Sequence, residues 1–120
     1  MIIKFRKKHT TLVINICGEI DHHTVEEIRG KIEKEFWKMH GKNIIFNFKE
    51  VTFMDSSGIG MIIGRYKHTV GLGGKTAIAC ANEKVGQIFQ LSGLFRIIPN
   101  YSTVEEALEQ TEMGGFYELR

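Results

Sequence analysis

Two nearly continuous apolar runs, Ile44-Ile45-Phe46-Asn47-Phe48 and Thr76-Ala77-Ile78-Ala79-Cys80, constrain this chain most. Strands that are apolar at successive positions are covered on both faces, which is the condition of a parallel sheet packed between helices. The segments between and around them read as helices. Val25, Ile28, Ile32, Phe36 and Met39 share one helical face, introduced by Thr24 and Glu27 in capping-box spacing. Val85, Ile88, Phe89 and Ser92 share another, ended by Gly93. Ser102 and Thr103 start a last helix that runs through Leu108, with Glu105 and Glu106 in its first turn.

The N-terminal part differs. Ile2-Ile3-Lys4-Phe5 and Leu12 to Cys17 are strand-like and close enough to pair as a hairpin, with the basic run Lys4 to Lys8 expected in the turn. Phe95 to Ile98 is expected as a short edge strand stopped by Pro99. The resulting order, ββαβαβαβα, describes an α/β fold: one domain over residues 1–120, with a mixed, mainly parallel sheet and about four helices. At 120 residues with 42% hydrophobic content, one core is available and two are not.

Charge excludes several functions. A net charge of +2 without a dense basic stripe argues against nucleic acid. Met1 leads directly into strand pattern and no apolar run approaches spanning length, so a cytoplasmic protein with no membrane role is expected. Cys17 and Cys80 lie in strand-like runs without metal-ligand spacing and are expected as buried thiols. His22-His23 beside Asp21 lacks further ligands; neighbouring side chains at a helix start are expected to diverge, and Asp21 serves as an N-cap or loop acceptor. Neither metal nor cofactor is expected. Gly73-Gly74-Lys75-Thr76 imitates the end of a phosphate-binding loop, but Thr69 stands where its first glycine belongs and the segment runs from helix into strand, so it reads as a tight turn.

The chemistry concentrates in Asp55-Ser56-Ser57-Gly58-Ile59-Gly60, which opens a helix running to about His68. Two hydroxyls, a carboxylate and the free N–H groups of a helix start meet there, which suits an anion or a covalent phosphate. Ser57 has no recognisable base and orienting acid, and the motif is not Gly-x-Ser-x-Gly, so hydrolysis is disfavoured. Ser56 and Ser57 as plain helix caps would account for the serines without any modification. At about 100° per residue, Ile59, Ile62, Ile63 and Tyr66 share the face toward the sheet, leaving Ser57, Gly60, Met61, Gly64 and His68 opposite. Exposed helical glycines cost about 1 kcal/mol each relative to Ala. They are either tolerated drift, packing under a loop, or a smooth strip on which a partner lies closely, with Met61 as an adaptable contact.

Four segments resemble the STAS domain family, and within it the anti-sigma factor antagonists: Gly18-Glu19-Ile20-Asp21-His22-His23-Thr24, Asp55-Ser56-Ser57-Gly58-Ile59-Gly60, Gly64-Arg65-Tyr66-Lys67 and Ser92-Gly93-Leu94-Phe95. The combination is most similar to the antagonists acting on sporulation sigma factor F in spore-forming Gram-positive bacteria. The resemblance implies partner switching. The second serine of the motif, Ser57, would accept phosphate from an anti-sigma factor that is also a serine kinase, with Asp55, Ser56 and Gly58 shaping the loop. The unphosphorylated chain would bind the ATP- or ADP-bound anti-sigma factor and free the sigma factor; a serine phosphatase would restore it after phosphorylation. Asp21, Gly60, Met61 and Gly64 are the expected contact residues. The alternatives are a STAS module serving another sigma factor or a stress-sensing complex, and, from a different class, a small nucleotide-binding protein.

Overall fold

The computed structural model describes residues 1–118, with side chains as far as Glu112. Strand β1 (Ile2–Lys8) and strand β2 (Thr11–Ile20) pair antiparallel, with Ile2 opposite Cys17 and Lys8 opposite Thr11. The basic run therefore lies in β1 itself, and His9, at φ 54°, takes the turn. Ile3 and Phe5 face the core, while Lys4, Arg6 and Lys8 alternate with them on the other face of this edge strand. Charge on an edge strand discourages pairing with another chain.

Helix α1 (Val25–Lys38) buries Ile28, Ile32 and Phe36. The expected capping box does not form. Thr24 has helical dihedrals, and its hydroxyl accepts the Asp21 N–H while donating to the Glu19 carbonyl, both at 3.0 Å. Strand β3 (Asn43–Asn47) lies between β2 and strand β5 (Thr76–Ala79), parallel to both. An additional strand, β4 (Val51–Met54), pairs parallel with the far end of β2 around Gly18–Ile20. It is absent from the sequence-derived order because only its ends, Val51 and Met54, are buried, so neither alternation nor a full apolar run marks it.

Helix α2 (Ser56–Gly71) follows β4, and helix α3 (Glu83–Ser92) follows β5, ending at Gly93 in the left-handed region. The strand expected at Phe95–Ile98 is a 3₁₀ turn at Leu94–Arg96, and strand β6 (Asn100–Tyr101) comes after Pro99. Leu94 and Ile98 are the buried residues there, four apart, which is helical spacing and not alternation. Helix α4 (Val104–Glu118) closes the described chain, its first turn capped by the Thr103 hydroxyl. The tail beyond Glu112, in which the sequence offers no family feature, lies outside the described side chains.

The strand order β1-β2-β3-β5-β6, with β4 on β2, separates two layers of core. On one face Leu12, Ile14, Ile44, Phe46 and Ile78 meet Ile32, Ile62, Val85 and Phe89 of α1, α2 and α3. On the other, Val13, Ile45, Ala77 and Ala79 meet Val104, Ala107 and Leu108 of α4. This double covering is what the continuous apolar runs require. It does not reach the end of the hairpin, so Cys17 is exposed, and Cys80, just past the end of β5, is half-buried at the margin of the α4-side core; both are free thiols, against the expectation of two buried ones. At the α2–β5 turn, a side chain on Gly74 would place its Cβ 1.7 Å from the Lys42 carbonyl oxygen. The glycine is needed for close backbone approach, and this accounts for the phosphate-loop imitation.

Candidate functional site

Met54 ends β4, and Asp55 turns the chain into α2. Asp55 is the N-cap, in extended conformation, and its Oδ1 accepts the Ser57 N–H at 2.8 Å. Ser56 and Ser57 are thus the first two helical residues and not the cap. Plain capping does not account for them, and the cap takes the Ser57 N–H while leaving its hydroxyl free of that bond. Ser56 is exposed and Ser57 half-buried. Gly58 is buried, because a Cβ there would come 2.6 Å from Met54 Cγ and 3.0 Å from Ile20 Cγ2. The first turn of α2 sits directly on the ends of β4 and β2.

The second oxygen of Asp55 joins this turn to the loop after β2. Oδ2 accepts the His22 N–H at 3.2 Å, and His22 Nδ1 stands 3.6 Å from it. Asp21 Oδ1 accepts the N–H groups of His23 and Thr24, so the loop is closed on itself as well as fastened to α2. Held this way, the His22 and His23 rings lie 3.9 Å apart, tilted by 40°, and do not diverge as adjacent side chains were expected to. Among the described residues no cluster of three His, Cys, Asp or Glu is arranged to hold a metal ion. Desolvation pushes both Asp55 and Asp21 upward. N–H donors outweigh it: Ser57, His22 and Gly58 at Asp55, His23 and Thr24 at Asp21. Both carboxyls are held below the ordinary value.

Helix α2 presents a different face to the core from the one its isoleucines predict. Its buried residues are Gly58, Met61, Ile62 and Thr69, while Ile59, Ile63 and Tyr66 lie at the margin of the core. The helix is rotated by about one residue position, ~100°, from the expected orientation. The reason is α1, which packs beside α2: Arg65 pairs with Glu33 at 3.4 Å, and His68 meets Phe36 edge-on at 5.5 Å. Met61, expected as an exposed contact, is only 5% exposed and belongs to the core. Gly60 is exposed and Gly64 half-buried, and an added Cβ would find nothing within 4 Å at either. They pack under no loop, so that explanation falls away. The structure thus brings Asp21, Asp55, Ser56 and Ser57 together, with Gly60 and Gly64 leading away along α2. The bridge from His22 to Asp55 spans 33 positions, and no local pattern signals a pair so far apart in sequence.

Residues 3–107 match the family model of the STAS domain. The chain belongs to the STAS domain family. An anti-sigma F factor antagonist of Paenibacillus polymyxa is 34% identical over 111 residues, covering 92% of this chain and 95% of that one. The unphosphorylated form of the anti-sigma factor antagonist SpoIIAA superposes with a TM-score of 0.80 at 35% identity, over 92% of this chain and 96% of the other. The phosphorylated form of the Bacillus cell fate determinant SpoIIAA does so with a TM-score of 0.71 at 34% identity, over 91% and 98%. The STAS fold expected from the sequence is the fold observed, with a mixed sheet, an N-terminal hairpin and, among the described residues, four α-helices. Among the described residues no helix is long and apolar enough to cross a membrane.

Proposed function

We propose that this STAS domain is an anti-sigma factor antagonist of the SpoIIAA type, a cytoplasmic regulator that carries no catalytic site and is itself the substrate of a serine kinase and a serine phosphatase. In its unphosphorylated form it binds the ATP- or ADP-bound anti-sigma factor and releases a sporulation sigma factor. Phosphate on Ser57 abolishes that binding. The observation that carries this reading is the Asp55 bridge. One carboxylate fastens the backbone of Ser57 to the Asp21–Thr24 loop, so that a modifiable serine and a hydrogen-bonded loop carrying Asp21 share one surface. Asp21, Gly60 and Gly64 form the partner contact; Met61 supports α2 from beneath.

The magnitudes agree. Phosphoserine brings about −1.5 to −2 charges at neutral pH. Two unit charges 4 Å apart interact by about 1 kcal/mol in water and about 4 kcal/mol at a surface-like dielectric. About 2.7 kcal/mol weakens binding a hundredfold, so charge at the edge of the contact surface is sufficient without refolding.

Intact mass after incubation with ATP alone, and with ATP plus the anti-sigma kinase, tests the reading. One phosphate gained only with the kinase, and lost in Ser57→Ala, is the expected result. Phosphorylation elsewhere, or ATP turnover by this chain alone, would overturn it. Ser57→Asp is expected to bind the kinase more weakly than wild type, and unchanged affinity would defeat the charge argument.

A further inference from the structure

His22 meets Asp55 twice, through its backbone N–H and through its ring, yet its side chain is 69% exposed. The backbone bond alone fastens the loop. The imidazole adds a titratable group one carboxylate away from Ser57, since Asp55 Oδ1 holds the Ser57 N–H and Oδ2 faces His22 Nδ1. We propose that His22 is the counter-cation for phosphate carried on Ser57, its protonated ring standing between the phosphate and the Asp55 carboxylate. This rests on the reading of Ser57 as a phosphate acceptor and goes beyond it, by assigning the group that makes the charged state tolerable to this chain.

The need for such a group follows from the cap. A helix start attracts anions through its free N–H groups, but the Ser57 N–H is already taken by Asp55. That carboxyl is ionised at neutral pH, since its value lies below the ordinary 3.8. A phosphate placed there meets a negative charge where an unmodified helix start would offer only donors. The Asp55 carboxylate, at the N-cap of α2, faces the His22 ring, and the His23 ring lies beside it. Asp21 turns its carboxylate to the N–H groups of His23 and Thr24, and Val51–Met54 of β4 contribute no ionisable side chain. The arginines of the adjoining helices are engaged elsewhere, Arg29 with Glu26 and Glu33, and Arg65 with Glu33. The His22 ring is largely exposed, with the His23 ring beside it, so it can keep Asp55 on one side while meeting a phosphate on the other, drawing its proton from solvent.

The test uses the full chain with phosphoserine installed at position 57 during translation, so that no kinase is required, and follows the ³¹P chemical shift against pH. Phosphoserine ordinarily takes its second ionisation near pH ~6. A contact cation favours the dianion, and attraction at 4 Å in the dielectric of water corresponds to about 0.7 pH unit. The phosphate of His22→Gln is expected to titrate higher than wild type by about that amount, with His22→Arg at or below the wild-type midpoint and His23→Gln close to it. Coincident curves for wild type and His22→Gln would overturn the assignment, as would a rise produced by His23→Gln and not by His22→Gln. A ¹H–¹⁵N spectrum of each variant verifies the fold. Failure of the kinase to modify Ser57 would defeat the proposed function and leave this titration untouched; coincident curves would do the reverse.

Discussion

A single methyl group on Gly58 would press on Met54 and Ile20 at 2.6 and 3.0 Å, and the neighbours of that residue are the two serines and the cap. Gly58→Ala is expected to cost about 1–3 kcal/mol by overpacking, measured by urea unfolding, and to slow phosphorylation of Ser57 by shifting the first turn of α2. Asp55 acts beside it through charge. Its folded value is depressed, so its contribution to stability is fully present above the unfolded carboxyl value and is lost as pH falls through the lower folded one. Asp55→Asn is therefore expected to flatten the acid limb of the stability profile between those two values. Urea midpoints collected from neutral pH downward check this; an unchanged acid limb would mean that the cap bonds do not distinguish the ionised form. What sequence made legible at this scale was the motif itself, because hydroxyls and a carboxylate at a helix start are a local pattern. The His22 contact was not legible, because it joins positions 33 apart.

Hydrophobic periodicity located helix α2, but Ile59, Ile62, Ile63 and Tyr66 suggested a face that packing beside α1 turned away by about one residue. Periodicity averages over the side chains of one helix and contains no information about which neighbour lies alongside. Met61→Ala is accordingly expected to destabilise the fold by about 2–5 kcal/mol, as a cavity-forming core substitution, and not to act as a surface contact. Gly60→Ala and Gly64→Ala have open space around the new methyl and are expected to stabilise the fold by up to about 1 kcal/mol each. If a partner lies along this strip, the same substitutions weaken its binding; thermal melts and calorimetric titration with the anti-sigma kinase, run on the same samples, separate the two effects. Raised melting temperature with undiminished affinity would remove Gly60 and Gly64 from the contact surface.

Over the whole molecule, the centre of the sheet is buried on both faces, between α1, α2 and α3 on one side and α4 on the other, and it holds the Asp55–Ser57 turn in place. Phe48 stacks on Phe46 and packs against Phe89, with ring centroids 5.3 Å apart in both pairs. Phe48→Ala is expected to cost about 3–5 kcal/mol, measured by chemical unfolding. With so continuous a core beneath it, a phosphate at Ser57 is expected to leave the fold intact and to move backbone amide signals only in the Asp21–Thr24 loop and the first turns of α2. Shifts spread through β3 and β5 would show that phosphorylation acts by rearrangement and not by local charge. By itself, the sequence determined the α/β class, the hairpin, the four helices and the serine motif, since each is written in short-range periodicity or in a compact pattern of residues. Tertiary structure alone decided that Lys4–Lys8 is strand, that β4 exists, that the chain past Leu94 coils before β6, that Met61 is core and that His22 reaches Asp55. Those outcomes depend on which surface of each segment meets a distant part of the chain, and burial by a remote neighbour leaves no local trace.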